Sequence, residues 1–249
     1  MSELFSIQLQ NRQQQGRDGV WLDLPTTTEQ VQAALQQIGI SSDNPQGLFI
    51  SGYFAEEEKR FAIPYNMVLA SNVDELNFLA SRLETLSTGE RAELNAALQA
   101  PQSELFSIGR ITDFPENVDY YVHLPDVHGP AQLGDYYLNR SGMVNMPEEW
   151  KGGIDTAQFG RYVAQQEQGA FTQYGYLVKS GDEWQKVHEG QPVPEEYRVL
   201  SFPAPEVLRD AANIPPPVQP ETEPQKVIPI ILNGKDSAER MKEITDRLE

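Results

Sequence analysis

The chain has 249 residues, with 37 Asp and Glu against 19 Lys and Arg, a formal net charge of −18 and no cysteine. That charge opposes direct contact with nucleic-acid backbones, which need clustered Lys and Arg, and the lack of cysteine excludes disulfides, thiol catalysis and cysteine-type zinc sites. Hydrophobic residues at 39% and aromatics at 9% exceed what an acidic disordered chain carries, so a packed core is expected.

No apolar run approaches the ~20 residues of a membrane span. The opening MSELFSIQLQNRQQQ lacks the charged-then-apolar layout of a secretion signal, so a cytoplasmic location is expected. At about 100–150 residues per domain, the length implies two to three modules. The element pattern predicts an α+β protein.

Residues 1–65 read as an N-terminal α/β domain. Residues 4–9 largely alternate apolar and polar like a strand, 16–19 form a turn, and 19–24 form a second strand stopped by Pro25. Thr26 and Glu29 have the spacing of a capping box. They open a helix carrying Val31, Ala34, Leu35 and Ile38, ended by Gly39. A strand over 47–54 runs into Glu56, Glu57 and Glu58.

Residues 66–101 read as a helical domain. Ser71 caps a helix with Leu76, Leu79, Ala80, Leu83 and Leu86 inward, and Ser87 with Glu90 opens another carrying Leu94, Ala97 and Leu98. The tight join predicts an antiparallel hairpin, closed by Pro101.

Residues 102–213 read as a C-terminal α/β domain. It holds strands over 105–108 and 118–124, helices over 130–138 and 154–166, and strands over 171–179 and 197–202. Ser103-Glu104-Leu105-Phe106-Ser107-Ile108 repeats the opening Ser2 to Ile7, which raises either a shared β-β-α plan or coincidence. A proline-rich linker over 214–225 follows. Residues 226–249 read as a short β-α extension, the truncated start of a further module.

Residues 1–220 hold 30 acidic and 14 basic side chains, net −16, against net −2 for the remainder. The excess is spread along the folded part rather than gathered in a tail. Asp43, Glu56, Glu57, Glu58, Asp74, Glu75, Glu84, Glu90, Glu93, Glu104, Asp113, Glu116 and Asp119 form the candidate acidic surface. Each alone reads as a solvated residue. Together they can oppose a basic groove much as DNA does, with one negative charge per ~1.7 Å of duplex axis.

Among catalytic constellations, the strongest is His123-Leu124-Pro125-Asp126-Val127-His128, which could hold a metal in a hydrolase. Pro125, Gly129 and Pro130 place it in a loop, and His188 is the one other histidine. Polar loop residues are the simpler reading. Gly-rich phosphate loops and a GxSxG elbow are absent. Tyr120, Tyr121, Tyr136 and Tyr137 lack the basic neighbours of a base-stacking platform, so packing explains them better. No catalytic residue, cofactor or metal is expected.

Three stretches together resemble the ArdA antirestriction family of conjugative plasmids and transposons. They are Gly19-Val20-Trp21-Leu22-Asp23-Leu24-Pro25, then Asp74-Glu75-Leu76-Asn77-Phe78-Leu79-Ala80, and Tyr136-Tyr137-Leu138 through Gly142 to Ile154-Asp155 and Phe159-Gly160-Arg161. The resemblance covers about residues 1–180. It implies an elongated three-domain protomer that forms a homodimer and mimics bent DNA. It further implies a non-enzymatic inhibitor of type I restriction–modification enzymes, held on the methyltransferase core.

Glu148, Glu149, Ile154, Asp155 and Phe159 fall in the family's dimer and antirestriction segment. Here that segment departs from the family: Gly153 replaces a tyrosine, and 142–160 is poor in acids. The last helix resembles the start of an ArdC-like module. The alternative to an inhibitor is a non-inhibitory interaction module of a mobile element that binds another basic partner.

Overall fold

The computed structural model describes residues 4–14, 18–41, 47–56 and 61–200. Asp43, Glu57, Glu58, the proline-rich linker and residues 226–249 lie outside them.

The first sheet is antiparallel, in the order β2-β1-β3, from β1 (Phe5–Asn11), β2 (Val20–Leu24) and β3 (Leu48–Phe54). β1 sits centrally because alternate residues Phe5, Ile7, Leu9 and Asn11 are buried. Helix α1 (Thr28–Gln37) starts one residue later than its sequence suggested. Thr27 and Gln30 close the box, Thr27 Oγ1 accepting the Gln30 N–H and Gln30 Oε1 the Thr27 N–H.

Helix α2 (Tyr65–Ala70) is not marked by any cap in the sequence. It also displaces the expected cap of α3 (Val73–Glu84). Ser71 Oγ donates back to the Met67 carbonyl, so Asn72 caps α3 and pairs with Glu75. Ser87 and Glu90 form the box of α4 (Thr88–Gln99) as their spacing implies. The inward residues of α3 and α4 belong to one apolar cluster. α3 packs closely on β2 and on α5 (Ile108–Thr112), and α4 packs on the second sheet.

That second sheet has the order β4-β6-β5, from β4 (Tyr121–Leu124), β5 (Ala170–Thr172) and β6 (Gly175–Lys179). Four sequence readings change here. The 105–108 strand is instead the lead-in to α5, because Ser107 Oγ accepts the Arg110 N–H and Leu105, Ile108 and Ile111 turn inward at helical spacing. The described part of the repeat therefore differs, residues 5–7 being strand while residues 105–107 lead into α5, and no β-β-α plan is shared among the described residues. Residues 118–120 coil into a turn before β4. The 171–179 strand folds into a β5–β6 hairpin, with Gly175 at φ +121°.

The fourth is the strand expected from 197. Glu195–Tyr197 is a short 3₁₀ turn, and the Val199 and Leu200 N–H groups bond to the Asp74 carboxylate rather than to a strand. The remainder of that expected strand is outside the described residues.

Helix α6 (Pro130–Asp135) continues as a wider π-helical turn over Tyr136–Arg140, which stops where Gly142 takes φ +68°. Helix α7 (Glu148–Lys151) is a single turn, and α8 (Thr156–Glu167) crosses α6 at close range. The crossing is close because Gly134 and Gly160 sit in it; a Cβ on either would overlap the Thr156 or Pro130 carbonyl.

One continuous apolar cluster runs from Leu4 through α1, α3 and α4 to Leu177 and Val199, with a smaller one around Val127, Leu133 and Tyr176. The fold class is thus mixed α and β, with two small antiparallel sheets joined by helices. Among the described residues, no helix is long and apolar enough to cross a membrane.

Candidate acidic interface

The carboxylates singled out from the sequence divide into those that hold the fold and those that face solvent. Asp113 is a correction. It is 0% exposed, and its carboxylate accepts the Val187, His188 and Glu189 N–H groups, so it stitches the C-terminal segment to the end of α5 and adds nothing to a surface.

Asp74 is half-buried for a related reason. Burial raises its pKa, opposed by bonds from the Leu200 and Val199 amides. Glu75 is the capping partner of Asn72. Asn77, two positions on, accepts the Thr26 N–H and donates to the Tyr197 carbonyl. The Asp74–Glu75–Asn77 stretch is therefore a structural junction between the first sheet, α3 and the C-terminal segment.

Glu93 is half-buried on α4. Its carboxyl is pushed up to about 8 by burial, then by repulsion from Glu90 and Asp119. Its Oε1 is buried without a hydrogen-bond partner among the described residues. At neutral pH it carries its proton, so it weakens the surface charge rather than adding to it. Neighbouring Glu90 behaves oppositely, held low by the Ser87 hydroxyl and backbone.

Glu104 sits between Arg110 (2.6 Å) and Lys179 (2.7 Å). Burial pushes its carboxyl up, but Lys179, Arg110 and the Tyr120 hydroxyl outweigh that and leave it below the ordinary range. Glu116 is exposed and bound to Arg82, Asp119 and Glu56 are exposed, and Glu84 is half-buried. Exposed carboxylates outside that candidate acidic surface include Asp18, Asp23, Glu29, Asp126, Asp182, Glu183, Glu195 and Glu196. Apart from Asp23 on β2 and Glu29 in the first turn of α1, they stand in or beside turns, where single acidic residues are common and carry no motif.

The cations explain how the negative field survives. Arg82, Arg110, Arg140, Lys151, Lys179 and Lys186 are each bound to a carboxylate. Arg91 is turned to the Leu86 carbonyl and over the Phe61 ring, and Arg198 to the Val193 carbonyl. Most of the described basic side chains thus spend their charge locally, while Arg161 is exposed.

In the segment read as dimerising, Glu148 pairs with Lys151 and Glu149 is exposed. Asp155 caps α8 through the Ala157 and Gln158 N–H groups, while Ile154 and Phe159 are half-buried. The same stretch exposes Met143, Trp150 and Tyr162, which the acid-centred reading of the sequence overlooked.

The histidines lie apart. His123 Nε2 meets the Tyr174 carbonyl at 2.7 Å, His128 is exposed, and His188 packs edge-on to Phe78. Among the described residues, no group of three or more His, Asp or Glu is arranged to hold a metal. The tyrosines pack on one another rather than opening a platform, Tyr120 on Tyr121 and Tyr136 on Tyr137.

A family model described as Antirestriction protein (ArdA) matches residues 15–178, which is more than half of the chain. A search of curated proteins finds no match.

Proposed function

The chain belongs to the ArdA family of antirestriction proteins, and from that premise we propose that it acts as a DNA mimic without chemistry of its own. It occupies the DNA groove of a type I restriction–modification enzyme on the methyltransferase core. The observation that supports this is the unbalanced field: residues 1–220 carry net −16, and most of the described cations are tied to carboxylates, carbonyls and rings. A basic groove built to attract phosphate is drawn to such a surface, with no need for base contacts.

The same reading includes a homodimer in which Met143, Trp150 and Tyr162 supply apolar contact beside Glu148, Glu149 and Asp155. It also includes an elongated arrangement of modules 1–65, 66–101 and 102–213, and a cytoplasmic site of action in a cell that carries the mobile element.

The test is titration of the protein against the methyltransferase core in the presence of its DNA. A stoichiometric complex that excludes DNA and weakens as salt rises is expected. A ternary complex with DNA still bound refutes mimicry, and binding of a different basic protein alone identifies an interaction module instead.

A further inference from the structure

After β6 the chain runs through residues 180–200 as a strap that pairs with no strand among the described residues. It lies past residues 15–178, the part matched by the family model. Backbone groups without a ladder still need partners. Here the side chains of distant elements supply them.

The near half is held at α5 and the turns that follow it. Asn117 Oδ1 accepts the Gln185 N–H at 2.7 Å, and Asn117 Nδ2 donates to the Gln185 carbonyl at 3.0 Å, as a neighbouring strand would. Asp113 accepts the Val187, His188 and Glu189 N–H groups, and Arg110 Nε donates to the Glu189 carboxylate at 3.0 Å. The far half is held at α3. Asn77 Nδ2 donates to the Tyr197 carbonyl at 2.9 Å. Asp74 Oδ1 alone accepts both the Val199 and Leu200 N–H groups, at 2.7 and 2.8 Å.

Two features join the halves. The buried Phe78 ring of α3 meets both His188 and Tyr197, at centroid separations of 5.0 and 4.7 Å. The loop between those two residues also closes on itself. Gly190 takes φ +77°, the Gln191 N–H donates to the His188 carbonyl at 2.9 Å, and Arg198 Nε donates to the Val193 carbonyl at 2.7 Å. Lifting either half therefore uncovers the ring on which the other half packs.

We propose that residues 180–200 are a clamp that opens and closes as one unit while both sheets stay folded. Closed, it ties α5 to α3. Through Asn77, which also accepts the Thr26 N–H, the tie reaches the turn between β2 and α1. Anchors made by side chains, rather than by a ladder, let it release without breaking either sheet. The clamp involves no partner, so it stands or falls apart from the DNA-mimic reading.

The test is native-state hydrogen exchange of the full chain in low urea. The Val187, His188, Glu189, Val199 and Leu200 amides should share one opening equilibrium, with a weaker urea dependence than the amides of β1. Asp74→Ala removes the acceptor of Val199 and Leu200 only, at a partly exposed position. It should nonetheless speed exchange at Val187, His188 and Glu189 about tenfold or more. Asp113→Ala should do the same in reverse, at Val199 and Leu200. Acceleration confined to the amides that lost their acceptor overturns the proposal, since the anchors would then be independent contacts. A urea dependence in the unsubstituted protein equal to that of β1 overturns it too, since the strap would then melt only with the whole fold.

Discussion

Replacing Asp113 with Ala takes three N–H groups, those of Val187, His188 and Glu189, away from their shared acceptor. The loss should be about 3 kcal/mol, because bonds to a charged acceptor count for more than neutral ones. Urea unfolding measures it, and a loss below about 1 kcal/mol would mean that water replaces the carboxylate. Glu93 makes the opposite case. Its folded pKa, about 8, lies above the ordinary 4.5. The folded state therefore binds the extra proton, and the contribution is present below pH 4.5 and lost as pH rises through about 8. Between pH 5 and 9 the native protein should lose stability relative to Glu93→Gln, which has no proton to release. A difference that does not change with pH would refute this. At residue scale the sequence names an acidic side chain but not its charge, since burial and neighbours set that.

At the scale of elements, caps were legible where the chemistry is local. Ser87 and Glu90 are three apart and need no tertiary help, so Ser87→Ala should cost about 1 kcal/mol in thermal or urea unfolding. Ser71→Ala should not act through α3, because the Ser71 hydroxyl turns to Met67. Strands β1, β2 and β3 were legible from alternation and bounding turns. Helices α2 and α5 were not, since each is too short to show helical periodicity and is held by packing. The α6–α8 crossing was equally hidden, because two glycines 26 positions apart signal nothing until they meet. Gly160→Ala should cost about 3 kcal/mol or more, as the added methyl meets backbone that cannot move aside. Gly142→Ala, in open space at positive φ, should cost only about 1 kcal/mol. Similar losses for both would show that α6 and α8 part readily.

For the whole molecule, the relevant quantity is a summed field. Any one exposed Glu→Gln change should alter inhibition little, since single exposed charges contribute less than about 1 kcal/mol. Neutralising Asp119, Asp126, Glu149, Asp182, Glu183, Glu195 and Glu196 together should weaken the complex about tenfold or more and flatten its salt dependence. Undiminished inhibition by that variant would remove the electrostatic account. Composition by itself determined the sign and size of this field, the lack of thiol chemistry and the mixed α and β class, because these follow from residue counts and short-range periodicity. Only the tertiary structure decided which carboxylates keep their charge in water. Asp113 is consumed by backbone amides, Glu93 is neutralised by burial, Glu104 is shared between two cations, and Asp119 faces solvent. Those outcomes depend on partners as many as 76 residues away in the chain, which no local pattern encodes.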